Sequence, residues 1–337
     1  MRIRFELWNG GDRQCATARQ RGWHVIEELQ RRGYDADAWD RDHPTETDVL
    51  VIQRAILPVN LARALEHAEY VWLDANDDYL SPNRNMGFDP ETLTQYHGLL
   101  AGSDWLTVKL MRRHPRVRVW REAVDQIYSS QQCEYSRRTK TVRVAWMGGT
   151  DNLGWFDLSP IRWVLPDFAD RLHWVLAVPP RTCRGEDNAA IAEELLPGTV
   201  EFHPWTYETV GPLMASCDMS IIALEQTERC WSKSDNKPAS MMTMGLPVAT
   251  EEIECYREIG EGGYAATAYQ AEDWAEVLEK LVGDPTWRRQ LGRKGQAWAR
   301  RERSIERVTD MFLEAIEREG TDEDTAGQAT VRAIDAE

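Results

Sequence analysis

Residues 215–259 read ASCDMSIIALEQTERCWSKSDNKPASMMTMGLPVATEEIECYREI, and their order decides the fold. Met219–Leu224 has the composition of a short buried strand. A polar loop rich in Lys, Ser and Asn follows, then a Met- and Ala-rich helix that Gly245 ends, and Pro247–Thr250 opens the next strand. A loop that enters a helix at the carboxyl end of parallel strands is where α/β sheets bind ligands. Unpaired backbone N–H groups and the helix dipole favour an anion there, such as a diphosphate. Lys233 and Lys237 would add charge and Ser234 a hydrogen bond, whereas each lysine read singly is an ordinary surface residue.

The flanks repeat the alternation. Upstream, Val142–Met147, Leu172–Val178 and Val200–Phe202 read as strands. Downstream, Trp274, Val277, Leu278 and Leu281 give Glu272–Val282 the apolar spacing of an amphipathic helix, stopped by Gly283 and Pro285. Ser304 can cap a last helix carrying Ile305, Val308, Phe312 and Ile316 on one stripe, with the option of crossing back to the first domain. In the first half, Ile3–Trp8, Val49–Gln53, Tyr70–Leu73, Trp105–Val108 and Val117–Trp120 read as strands, and a helix carrying Ile26 and Leu29 ends at Gly33. Alternating strand and helix implies parallel sheets with crossovers. The polar, aperiodic Ser129–Thr141 is the expected boundary, which gives domains over 1–135 and 136–319 and a mobile tail over 320–337.

Size and composition agree. A chain of 337 residues has room for two domains of roughly 150 residues each. Its formal net charge of −16 argues against a general DNA-binding surface. From Trp105 to Arg143, however, ten Lys and Arg stand against three Asp and Glu. That stretch reads as a solvated face around a linker, or as a basic rim for an anionic acceptor such as a phospholipid head group or nucleic acid. The six Cys show no CxxC pair and the seven His no HxxxH, so no metal site is expected and reduced thiols in a cytoplasm are the default. Met1–Asn9 lacks an apolar signal core, and no run is long enough to span a membrane.

The order strand–CD–strand–KSxxK–helix–GLPVA resembles the donor-binding region of retaining GT-B glycosyltransferases. The segment Trp274–Gly295 is similar to the C-terminal helices of that family, so the likeness covers roughly residues 142–316. It implies an α/β GT-B fold, two Rossmann-like domains with parallel sheets facing a cleft. It also implies transfer of a sugar from a nucleotide diphosphate to an acceptor with retention at the anomeric carbon, and no cofactor or required metal. On the donor side the resemblance points to Lys233 and Lys237 as the charges on the diphosphate. Gly148, Gly149, Thr150, Ser234, Asn236 and Ser240 would complete the binding set, although a Gly–Gly pair alone is also an ordinary tight turn. In the first half, Asn9–Gly10–Gly11 follows the first strand as a glycine-containing loop does in such enzymes, and Leu73–Asp78 is similar to their DxDD segment. Gly10, Gly11, Asp77 and Asp78 are therefore acceptor-side candidates, with Asp77 the candidate for proton transfer. Turn and cap carboxylates are the alternative for the aspartates.

One departure stands out. The family's E-x7-E pattern falls on Ser232 and Ser240. A carboxylate at the second position would hold both ribose hydroxyls, and charge-assisted bonds contribute about 1.5–3 kcal/mol each. Glu225, Glu228 and Glu252 are the nearby acids that could substitute. The acceptor class stays open between a glycan, a lipid-linked sugar, a small molecule and modified DNA. A phage-type enzyme that glycosylates DNA bases and a non-catalytic nucleotide-sugar-binding protein are the competing readings.

Overall fold

The computed structural model describes residues 1–54, 58–78, 90–135, 141–149 and 152–317. Its contacts divide into two units, Glu122–Ser304 and a first unit of Met1–Arg121 joined by the helix Ile305–Glu317. The division falls ahead of Ser129–Thr141 because Val124, Tyr128 and Cys133 are core residues of the second unit, not linker. The last helix belongs to the first unit: its Phe312 ring lies 5.5 Å from Phe5 and 5.1 Å from Trp120. Residues 320–337 lie outside the described residues.

The first unit is a six-stranded parallel sheet in the order β2-β1-β3-β4-β5-β6. Its strands are β1 Arg2–Glu6, β2 Asp35–Ala38, β3 Thr47–Gln53, β4 Ala68–Ala75, β5 Gly98–Ala101 and β6 Val117–Val119. The second unit is also a six-stranded parallel sheet, in the order β12-β11-β10-β7-β8-β9. Here β7 is Val142–Met147, β8 Leu172–Val178, β9 Thr199–Pro204, β10 Met219–Ile222, β11 Val248–Glu251 and β12 Ala266–Ala268. Central strands buried on both faces explain the near-continuous apolar runs of β3, β8 and β10.

Trp105–Val108 is not a strand. It lies in the helix Asp104–Met111, whose Ser103 Oγ accepts the Leu106 N–H at 3.3 Å. A four-residue apolar run does not distinguish strand from helix, and the Ser–Asp start favours the helix. The neighbouring strand is instead Gly98–Ala101, where Gly98 makes room for the Trp72 ring that a Cβ would meet at 2.3 Å.

One polar contact runs through the first core. Arg21 and Asp74 are both fully buried, and Arg21 reaches Asp74 at 2.6–3.0 Å through Nε and Nη2 while Nη1 donates to the Trp120 carbonyl at 2.8 Å. The guanidinium also lies 4.2 Å from the centroid of the Trp120 ring. Burial pushes the Asp74 carboxyl pKa up, and the Arg21 charge opposes that rise. Asp74→Leu alone strands a buried guanidinium and should cost about 3–5 kcal/mol, while the double variant Arg21→Met/Asp74→Leu should recover most of that. Urea unfolding of the three proteins checks this; equal losses in the single and double variants would show that the pair's charge balance is not what matters.

Candidate functional site

In the second unit, β7 continues to β8 on one side while β10 and β11 lie on the other. The loops leaving β7 and β10 therefore part in opposite directions, and such a switch point leaves a crevice at the strands' carboxyl ends. Gly148–Gly149 leaves β7, and residues 223–235 leave β10 to enter the helix Asn236–Thr243. Gly148 is required locally, because a Cβ there would sit 2.4 Å from the Trp146 ring. Gly245 ends the helix at φ +90°, as the sequence indicates.

The two lysines meet at this crevice. Lys233 Nζ and Lys237 Nζ each lie 4.9 Å from the centroid of the Trp155 ring, and Lys237 Nζ lies 5.3 Å from that of Trp146. Asn152 Oδ1, with the amide oriented by its partners, accepts from Lys237 Nζ at 2.9 Å and from the Gly149 N–H at 3.2 Å. The glycine turn, Asn152 and Lys237 thus form one network. Neither lysine has a carboxylate within ion-pair distance among the described residues. Lys237 is half-buried; desolvation and then the Lys233 charge press its pKa down to about 7. Two close lysines facing aromatic rings, with no carboxylate in ion-pair distance among the described residues, are an arrangement suited to an anion.

The remaining donor-side candidates divide. Ser234 Oγ donates to Glu122 Oε2 at 2.9 Å. Asn236 opens the helix and accepts from Ser240 Oγ at 3.3 Å. Ser240 is fully buried inside that helix, and Ser232 is fully buried with its hydroxyl on the Glu228 carbonyl at 2.9 Å. Neither serine presents its hydroxyl at the surface. Of the nearby acids, Glu228 and Glu252 are exposed, and half-buried Glu225, just beyond β10, has no side-chain partner among the described residues. Thr150 lies outside the described residues. Sequence reasoning missed Trp146, Trp155 and Asn152; the only available signal was the run Asn152–Trp155 directly after the glycine turn.

In the first unit, Asn9, Gly10 and Gly11 follow β1 at φ +53°, +63° and +77°. Asp77 Oδ1 accepts the Asp78 N–H at 3.0 Å. Asp78 is buried and bound to Lys109 Nζ at 2.7 Å, so its carboxylate serves the frame. The basic stretch is also partly neutralised inside its own units: Arg121 pairs with Asp104 at 2.6 Å and Arg143 with Glu201 at 3.1 Å. Arg112 and Arg113 stay exposed. Among the described residues no group of three His, Cys, Asp or Glu could hold a metal ion, and no helix is long and apolar enough to cross a membrane.

No protein-family model matches the chain, and no curated protein does. Solved structures do. Sucrose-phosphate synthase from Thermosynechococcus elongatus is similar at TM-score 0.66 and 10% identity, with 100% of both chains covered. Anabaena HepE in complex with UDP and glucose is similar at TM-score 0.63 and 14% identity, covering 94% of this chain and 100% of the other. WaaG, a glycosyltransferase involved in lipopolysaccharide biosynthesis, is similar at TM-score 0.59 and 14% identity, covering 95% and 100%. The chain has the GT-B fold, two Rossmann-like units with parallel sheets.

The depressed Lys237 pKa has a consequence for stability. An unfolded lysine titrates near 10.5 and this one near 7, so between those values the unfolded chain holds more protons and stability rises with pH. Lys237→Met should stabilise the second unit at pH 7 and flatten that rise. Melting curves of both proteins from pH 6 to 9 test it, and parallel curves would mean that Lys237 carries an ordinary surface charge.

Proposed function

We propose that this protein is a glycosyltransferase that moves a sugar from a nucleoside diphosphate to an acceptor, with the diphosphate held by Lys233 and Lys237. The carrying observation is that pair of cations, sharing the Trp155 ring at the switch point of a GT-B unit with no counter-ion among the described residues. A departing diphosphate develops negative charge, and fixed cations and backbone amides stabilise it more effectively than water. Asn152, itself tied to the Gly149 N–H, holds Lys237 in place. UDP-glucose is the first donor to test, because HepE is described in complex with it. Retention of anomeric configuration follows from the family resemblance.

Glu225 takes over the ribose in this reading, since Ser232 and Ser240 are buried and internally bonded. The acceptor is assigned to the first unit, with Asp77 as the candidate for handling its hydroxyl. The internal pairing of Lys109, Arg121 and Arg143 lowers the charge left for DNA, which disfavours the DNA-base reading. Absence of the two family glutamates favours one rival, a protein that binds nucleotide sugars without turnover.

Titration calorimetry separates these possibilities. Lys237→Ala should weaken UDP about tenfold or more, the scale of one lost charge-assisted bond, and leave uridine unchanged. Glu225→Gln should weaken uridine and UDP alike while sparing pyrophosphate. Equal UDP affinity in wild type and Lys237→Ala would displace the donor site. UDP-glucose binding without UDP release across a panel of acceptors would favour the binding protein.

A further inference from the structure

We propose a second anion site, contained in the first unit and built by Arg54, Thr17 and Asn76, that takes the phosphoryl group of a phosphorylated acceptor. The word acceptor rests on the transferase reading; the anion site does not.

The location follows from topology. β1 and β3 are neighbours from which the chain proceeds in opposite directions, to β2 and to β4. Their carboxyl ends form the first unit's switch point. Arg54 directly follows β3 and adopts φ +65°, a left-handed conformation that non-glycine residues avoid. Its N–H donates to the Asp74 carbonyl at 3.1 Å, and its guanidinium lies 4.6 Å from the centroid of the Trp8 ring. Trp8 is fixed in turn, its N–H donating to Gln53 Oε1 at 2.9 Å. Strain retained where glycine would relieve it marks a side chain with a task. Thr17 lies just before a π-helical turn, Arg19–Trp23, a second local departure from regular backbone at the same edge.

The chemistry of the cluster is that of donors. Thr17 Oγ1 accepts from Asn76 Nδ2 at 3.3 Å and from Arg54 Nη2 at 3.5 Å. A hydroxyl has two lone pairs and one proton, so Thr17 is left with its proton to give. Arg54 Nε is buried with no partner among the described residues. Of the carboxylates at these strand ends, Asp74 is held by Arg21 and also feels the Arg54 charge, while Glu6 is held by Arg41 through Oε1 and its Oε2 has no hydrogen-bond partner among the described residues. A guanidinium Nε and a hydroxyl proton with no acceptor among the described residues select an oxyanion. The donors come from the end of β3 and from the helix after β1, with Asn76 just past β4 bracing them. A tetrahedral phosphoryl group offers separate oxygens to donors on separate elements, whereas a planar carboxylate is satisfied by one guanidinium fork.

The test uses the full chain and the variants Arg54→Gly, Arg54→Lys and Thr17→Val, with calorimetric titration of inorganic phosphate, glucose 6-phosphate, acetate and UDP. Glycine suits φ +65°, so Arg54→Gly should keep or raise Tm while losing tenfold or more in affinity for phosphate and glucose 6-phosphate. Thr17→Val should lose less, and Arg54→Lys should lie between wild type and glycine. UDP affinity should survive Arg54→Gly, and phosphate affinity should survive Lys237→Ala, which separates this site from the donor site. The proposal is overturned by a wild type that binds neither phosphate nor glucose 6-phosphate, by a lower Tm in Arg54→Gly with phosphate affinity intact, or by acetate binding as tightly as phosphate. If Arg54→Gly weakens UDP as Lys237→Ala does, the arginine serves the donor and the second site is withdrawn. Sedimentation with phosphatidylglycerol vesicles supplies the last arm: Arg54-dependent vesicle binding without glucose 6-phosphate binding replaces the small acceptor with a lipid head group and overturns the assignment.

Discussion

Each unit hangs its loops on one buried arginine–aspartate pair. In the first, Arg21 sits in the helical segment just after Thr17, and Asp74 lies in β4 two residues before Asn76. The contact therefore sets the spacing between the helix that follows β1 and the end of β4. In the second, Arg303 Nη2 reaches Asp235 at 2.7 Å and Glu258 at 2.7 Å, with its guanidinium 4.6 Å from the Trp298 ring centroid. Asp235 directly precedes the helix that carries Lys237. Such pairs return little net stability, because desolvation consumes most of the attraction, yet they penalise any arrangement that separates the partners. They act on position, and what they position in each unit is a loop at a sheet's switch point.

Parallel sheets make that arrangement useful. All strand carboxyl ends of one sheet fall on one edge, so residues far apart in sequence converge without a dedicated scaffold. In the second unit the convergence gathers two lysines beside two tryptophans and an asparagine. The rings remove water from Lys237, and the neighbouring charge adds to the penalty, which is why its pKa falls to about 7. A diphosphate held as proposed would reverse both effects by supplying countercharge.

Much of the second unit was legible because its signals are local. The strand–loop–helix–strand order of residues 219–250 and the Gly245 stop are set by neighbours in sequence, and the structure repeats them. The strands that escaped are those with little apolar signal: β2 is Asp-Ala-Asp-Ala, β12 is Ala-Thr-Ala, and β5 is only four residues. Trp105–Val108 misled because its cap lies outside the apolar run. The segment near Ser129 looked like a linker since its core residues, Tyr128 and Cys133, are embedded in polar sequence. The polar partners were out of reach for a different reason. Nothing in sequence joins Asn152 to Lys237 or Thr17 to Arg54, because those pairings exist only once the sheets bring their edges together.

The missing family glutamates fit the same physics. Ser240 has no exposed surface, and its hydroxyl is satisfied by Asn236 one turn earlier. A carboxylate in that setting would be desolvated, with no cation positioned to meet it: Lys237 lies on the same helix but directs its ammonium toward Asn152 and the tryptophans. Burying an unpaired carboxylate costs several kcal/mol, enough to offset the bonds a serine gives up. The serine and its burial thus go together, since this helix packs inward at that position. Under the proposed transferase reading, ribose recognition then falls to an acid on a segment that is not drawn into the core. Glu225 meets that condition, leaving β10 half-buried at the edge where the lysines gather.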